Sequence, residues 1–165
     1  MKTFVRAVAL AIAVLPALAA PALATFPEPA RQPFRVLASK VEAEGIASVL
    51  DMALARMFPP AYREAHPDVV AERKAALLSA ADPACFRTAC LALAQLDLTP
   101  GLGAIRNPTL CLAGAEDLTT PAPLVRALAE GIPGARFQQI EGCGHCPQIE
   151  NPAAFVAAVE AFLDA

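Results

Sequence analysis

The stretch Cys143-Gly144-His145-Cys146 places an imidazole between two thiols. A C-x-x-C of this kind exchanges disulfides when one thiol is held as a thiolate. With a distant Cys111 or Cys85 the same residues make a candidate metal set, although the sequence offers no second C-x-x-C. A third chemistry uses the histidine with a carboxylate. Asp117, in G-A-E-D, could fix the His145 imidazole in one tautomer and stabilise its protonated form, leaving the other ring nitrogen as a general base. Two further thiols, Cys85 and Cys90, are candidate nucleophiles by residue type. Each chemistry needs its own setting, so the surrounding elements decide among them.

From Pro108 onward the pattern is that of alternating strands and helices. Thr109 to Ala113 is a short apolar run between a proline and a glycine, as in a parallel strand buried on both faces. Thr119/Thr120-Pro121 is expected to cap a helix carrying Leu124, Val125, Leu128 and Ala129, stopped by Gly131 and Pro133. Ala135 to Ile140 reads as a second strand. After the C-G-H-C loop, Asn151-Pro152 opens a last helix with Phe155, Val159 and Phe162 inward and Val156 and Leu163 widening the stripe. Strand, helix, strand is a crossover unit, so the two strands are expected to be parallel. Asp117 and His145 then lie just past the carboxyl ends of neighbouring parallel strands, the edge where open α/β sheets bind ligands.

The redox reading fits this order poorly. A thioredoxin-like domain needs further strands after its C-x-x-C, and the residues after Cys146 hold Pro147, Asn151-Pro152 and one helix. Cys85 and Cys90 fall on an expected helix, which does not build the strained turn that exposes a nucleophile. His66, before Pro67 in a turn, has no acidic or cysteine neighbour at ligand spacing and reads as a surface residue.

The preceding segment is helical throughout. Leu37, Val41, Ile46, Leu50, Leu54 and Met57 recur at helical spacing, and Val69, Val70, Ala75, Leu77 and Leu78 come near it. Asp82 caps a helix with Pro83 at its first position and Phe86, Cys90, Leu91 and Leu93 inward. Thr25 to Pro33 has three prolines and reads as a linker. Residues 1–24 combine Lys2 and Arg6, the apolar run Ala7 to Ala20 and a terminal Ala22-Leu23-Ala24, which is the pattern of a signal peptide. This predicts four parts: a signal peptide 1–24, a linker 25–33, a helical region 34–98 and a β-α-β-α region 99–165. Export, periplasmic or extracellular, follows from a genuine leader; a cytoplasmic location follows otherwise. Removal of the leader would leave no membrane segment.

The 165 residues suit one domain, and their 56% hydrophobic content exceeds the roughly 45–50% of ordinary soluble domains, an excess concentrated at the start. The net charge of −3 argues against a nucleic-acid partner. Five cysteines cannot all pair within one exported chain, so at least one thiol stays free or bonds another molecule.

On these residues the chain resembles the C-terminal half of an α/β-hydrolase, in particular the 3-oxoadipate enol-lactonase type. R-M-F-P-P-A-Y-R-E-A-H-P resembles the helical cap of that family. The run from D-L-T-P-G-L to A-G-A-E-D-L-T-T-P resembles the segment that delivers the triad acid. The run I-P-G-A-R-F-Q-Q-I-E-G-C-G-H-C-P-Q-I-E-N-P resembles the last strand and the histidine loop. The resemblance implies a partial α/β-hydrolase fold with a cap segment followed by the last two parallel strands. It also implies carboxylic ester or lactone hydrolysis without cofactor or metal, with Asp117 as acid and His145 as base. The order nucleophile, acid, histidine fits.

One departure stands against this. The family's nucleophile sits in a G-x-S-x-G elbow before the cap, whereas the only serines here are Ser39, Ser48 and Ser79, in A-S-K, A-S-V and L-S-A. No nucleophile is assigned, and the chain alone is expected to be inactive. The same comparison leaves strand 109–113 with an unpaired edge, expected to pair with a second copy or with a complementary N-terminal half. The competing expectation is a non-catalytic remnant or binding domain.

Overall fold

The computed structural model of the protein describes residues 28–165, which form two compact units, one ending at Asp97 and the other comprising Leu98–Ala165. Residues 1–24, read as a signal peptide, and the first part of the expected linker lie outside the described residues.

The first unit is all helical. Helix α1 (Glu28–Glu44) is followed by a 3-10 turn (Ile46–Val49), α2 (Leu50–Met57), α3 (Pro60–Ala65), α4 (Pro67–Ala80) and α5 (Pro83–Gln95). Its core is Phe34, Leu37, Ala38 and Val41 from α1, Val49, Leu50, Leu54 and Phe58 from the next segment, and Cys90 and Ala94 from α5. Asp82 accepts from the Cys85 amide at 2.8 Å, a cap worth about 1 kcal/mol. One expectation fails here. The proline-rich linker is helical from Glu28: Pro29 falls in the first turn, where no amide bond is needed, and the buried face starting at Phe34 carries the helix through Pro33. Helix α4 forms where helical spacing placed it, although it buries none of its apolar residues fully and Leu78 is exposed.

The second unit runs from a 3-10 turn (Thr99–Ala104) through β1 (Leu110–Gly114), α6 (Ala122–Gly131), β2 (Arg136–Ile140), α7 (Pro147–Glu150) and α8 (Pro152–Leu163). The strands are parallel, with Leu110 beside Arg136 and Gly114 beside Ile140. Cys111 and Ala113 on one face of β1 pack with Leu102, Val125, Leu128, Ala129 and Ile132. The other face is only half-buried at Leu110 and Leu112, so the expected burial on both faces is incomplete within this unit. On α8 the fully buried residue is Ala158, and Val156 is exposed rather than part of the inward stripe. The Arg136 guanidinium lies 4.6 Å over the Phe162 ring and ties α8 to β2. Asn151 caps α8 as expected, accepting from the Ala154 amide.

Candidate active site

The crossover delivers its two strand ends side by side. Past β1, the Ala115 amide donates to Ile140 O at 2.9 Å and the Glu116 amide to Cys143 O at 3.0 Å, so the chain carrying Asp117 is laced to the chain carrying His145. The approach is possible because residue 114 is glycine. A Cβ there would fall on the Gly144 carbonyl oxygen and 2.5 Å from the Cys143 one.

Asp117 is buried, and its carboxylate is fixed locally before the histidine is considered. Oδ1 accepts from the Thr119 amide at 2.7 Å and the Thr120 amide at 2.9 Å, and Oδ2 accepts from the Thr120 hydroxyl at 2.7 Å. An aspartate whose side chain caps the two following amides is a turn in its own right. The two threonine amides and the Thr120 hydroxyl bind backward to Asp117, and the cap position of α6 falls on Pro121, whose side chain makes no cap bond. Asp-x-Thr-Thr spacing is a legible sign of such a turn, and Thr120 is the site residue missed from sequence.

His145 Nδ1 lies 2.9 Å from Asp117 Oδ2. An ionised carboxylate only accepts, so Nδ1 carries the proton and Nε2 is left with its lone pair. The Thr120 hydroxyl proton is used on Asp117, so at 3.3 Å from Nδ1 its oxygen can share the imidazole proton as a second acceptor. Nε2 makes no hydrogen bond among the described residues, and the imidazole is about one-third exposed, 37% for the side chain. This is the arrangement of a general base with a fixed tautomer and an open face.

Burial pushes the Asp117 carboxyl up, but the hydrogen bond and charge of His145, with the Thr120 hydroxyl and amide, outweigh it and hold the group below the ordinary carboxylate value. An unfolded aspartate titrates at about 4, so between that value and the lower folded one the unfolded chain binds more protons. Stability from this carboxylate is therefore full above about pH 4 and lost as pH falls through the folded value. Chemical denaturation should show wild type and Asp117→Asn differing most above about pH 4 and converging in stronger acid. A gap that stays constant through the acid range would contradict this.

Cys143 is placed to hold the loop, not to ionise. Cys143 is fully buried, donates to Ile140 O, and its thiol is pushed up to about 11 by burial and by Glu150, Glu116, Asp117 and Glu141. That is the opposite of the depressed thiol a redox C-x-x-C requires. None of the five cysteines is in a disulfide. Cys85 is raised by its hydrogen bond to Asp82, and Cys90 by burial, so neither α5 thiol is pre-ionised. Among the described residues no three His, Cys, Asp or Glu side chains converge on a metal position, and no single helix is long and apolar enough to cross a membrane. His66 is exposed between α3 and α4, with its ring 4.4 Å from that of Tyr62.

Comparison with known proteins gives this geometry its context. The 3-oxoadipate enol-lactonase 2 of Acinetobacter baylyi is 31% identical over 132 residues, which are 80% of this chain and 49% of that protein. The crystal structure of the enol-lactonase from Burkholderia xenovorans superposes with a TM-score of 0.77 at 29% identity, covering 87% of this chain and 54% of that one. A hydrolase from Pseudomonas aeruginosa gives 0.74 at 34% identity, with 87% and 53% covered. The chain thus spans about half the length of these relatives. The sequence pattern of the alpha/beta hydrolase family matches residues 4–159, beginning inside the segment read as a leader. Parallel strands that bring an aspartate and a histidine together at their carboxyl ends are thus joined to a family match over most of the sequence, and the chain belongs to the alpha/beta hydrolase family.

Proposed function

We propose that this chain supplies the acid and base of a carboxylic ester or lactone hydrolase of the Ser-His-Asp type, with Asp117 as the acid and His145 as the base. The observation that carries the reading is the 2.9 Å contact between His145 Nδ1 and Asp117 Oδ2, with both carboxylate oxygens held and Nε2 unengaged. The base would take the proton of an attacking serine hydroxyl, become an imidazolium stabilised by Asp117, and return the proton to the leaving alcohol. The ester or lactone class is supported by the enol-lactonases it resembles and by an esterase from Thermogutta terrifontis, 27% identical with a TM-score of 0.73.

None of Ser39, Ser48 and Ser79 lies in a G-x-S-x-G elbow. The nucleophile and the oxyanion hole are therefore assigned to residues beyond these 165, and the chain alone is assigned no turnover. Within its sheet β1 pairs only with β2 among the described residues, and a two-stranded sheet is marginal by itself. The free edge of β1 is the proposed attachment for the missing strands, or for a second copy in their absence. Export follows if residues 1–24 are removed as a leader.

The test is reconstitution. The part of the Burkholderia xenovorans enol-lactonase that this chain does not cover is mixed with the chain, and p-nitrophenyl acetate turnover and sedimentation are followed together. A 1:1 complex that turns over ester, from two parts inert apart, is the expected result. A dilute, monomeric chain that unfolds cooperatively and ignores the added part would count against it.

A further inference from the structure

The histidine loop is pinned at two ends by different means. Its front is held through Cys143, whose carbonyl receives the Glu116 amide and whose thiol bonds Ile140 O, after a left-handed turn at Gly142 (φ 68°). Its back is held at the Cys146 carbonyl by the Ile149 and Glu150 amides of α7, and on the amide side by one side chain. The Gly144 amide donates to Glu150 Oε2 at 2.8 Å, and the Cys146 amide donates to Glu150 Oε1 at 2.9 Å. These two amides flank His145. One carboxylate therefore grips the backbone on both sides of the imidazole-bearing residue, one oxygen to each amide.

Ordinary capping accounts for only part of this. Cys146 is the N-terminal cap position of α7, and a glutamate in the first turn that bonds back to the cap amide is a familiar device. The bond to Gly144 lies two residues earlier, outside the helix, and no helix end requires it. The setting also opposes an anion. Burial pushes the Glu150 carboxyl up, the Gly144 and Cys146 amides draw it down, and the Glu116 and Asp117 charges add to the rise, leaving it above the ordinary carboxylate value. Gly144 and Cys146 are both buried, so without Glu150 their amides would lose their partner where water does not readily replace it.

We propose that Glu150 is a positioning residue for His145: its bidentate grip on the Gly144 and Cys146 amides sets the loop so that Nδ1 meets Asp117. The idea rests on the reading of His145 as a base, but its test does not require turnover. In the full chain, hydrogen exchange reads the Gly144 and Cys146 amides, and imidazole ¹⁵N spectra read the His145 tautomer. Glu150→Gln keeps the size but turns an N–H toward one of the two amides. It should speed exchange at that amide by roughly tenfold or more, the loss of one charge-assisted bond. It should also move His145 from a single Nδ1–H tautomer toward a mixture. Asp117→Asn should change the tautomer while leaving both amides protected, which separates the grip from the pair it serves. If Glu150→Gln does not fold, Glu150→Asp, one methylene too short to reach both amides, gives the same two readouts. The wild-type chain provides a third check, since both amides should exchange slowly. A Glu150 variant that folds with both amides protected and the tautomer unchanged would overturn the proposal, as would fast exchange at both amides in wild type. Retained protection with an inert reconstituted enzyme would instead sink the reading of His145 as a base and leave the grip intact.

Discussion

Replacing His145 by alanine in the reconstituted enzyme is expected to lower ester turnover by a factor on the order of 10⁴–10⁶, with little change in KM. The magnitude follows from the geometry. Nε2 is the ring nitrogen left free to take a proton, and Asp117 has both oxygens occupied, so it cannot act in its place. Asp117→Asn should cost somewhat less, about 10⁴, by allowing the wrong tautomer while the imidazole stays present. Steady-state kinetics of the two variants side by side would check this. Equal turnover in wild type and His145→Ala would remove the pair from the chemistry.

Gly114→Ala is the second large expectation, and it acts through the backbone. The new methyl would collide with the carbonyl oxygens of Gly144 and Cys143, which are main-chain atoms and cannot turn aside as a side chain would. Either the histidine loop moves or β1 does. Overpacking of this kind costs about 1–3 kcal/mol or more, measurable by denaturant titration of the chain alone. In the reconstituted enzyme the larger effect is positional, because a base displaced by about 1 Å loses on the order of 10² in rate. Unaltered stability and unaltered turnover would mean that the laced strand ends do not govern the site. Ala113→Gly, a buried neighbour on the same strand, serves as the control for simple loss of strand stability.

The first strand was legible because a short apolar run bounded by proline and glycine leaves few alternatives. The run expected at Thr109–Ala113 forms at Leu110–Gly114, one residue later, without altering which loop carries Asp117. Proline misled at residues 28–33, since Pro29 falls in the first helical turn and the core buried from Phe34 onward carries the helix through Pro33. The Thr120 hydroxyl, expected at α6, serves Asp117 because the same residue types serve helix caps and aspartate turns, and only the position of the carboxylate distinguishes the two. Val156 lies within an apolar stripe by spacing yet faces solvent, because periodicity locates a stripe without saying what covers its flank. Glu150 was not legible at all. Its reach to Gly144 depends on the turn that Pro147 begins, and no sequence periodicity carries that information.

The C-G-H-C tetrapeptide shows how context assigns chemistry. By sequence its thiols invite a redox role, but burial raises Cys143 far from ionisation and the loop presents the imidazole instead. The measurement that tests the central claim most directly is the location of a serine-reactive fluorophosphonate label in the reconstituted pair, read by mass spectrometry. The label is expected on a serine of the added N-terminal part, at a rate that collapses when this chain carries His145→Ala. Labelling at an undiminished rate with His145→Ala, or a label on Ser39, Ser48 or Ser79 of this chain, would contradict it.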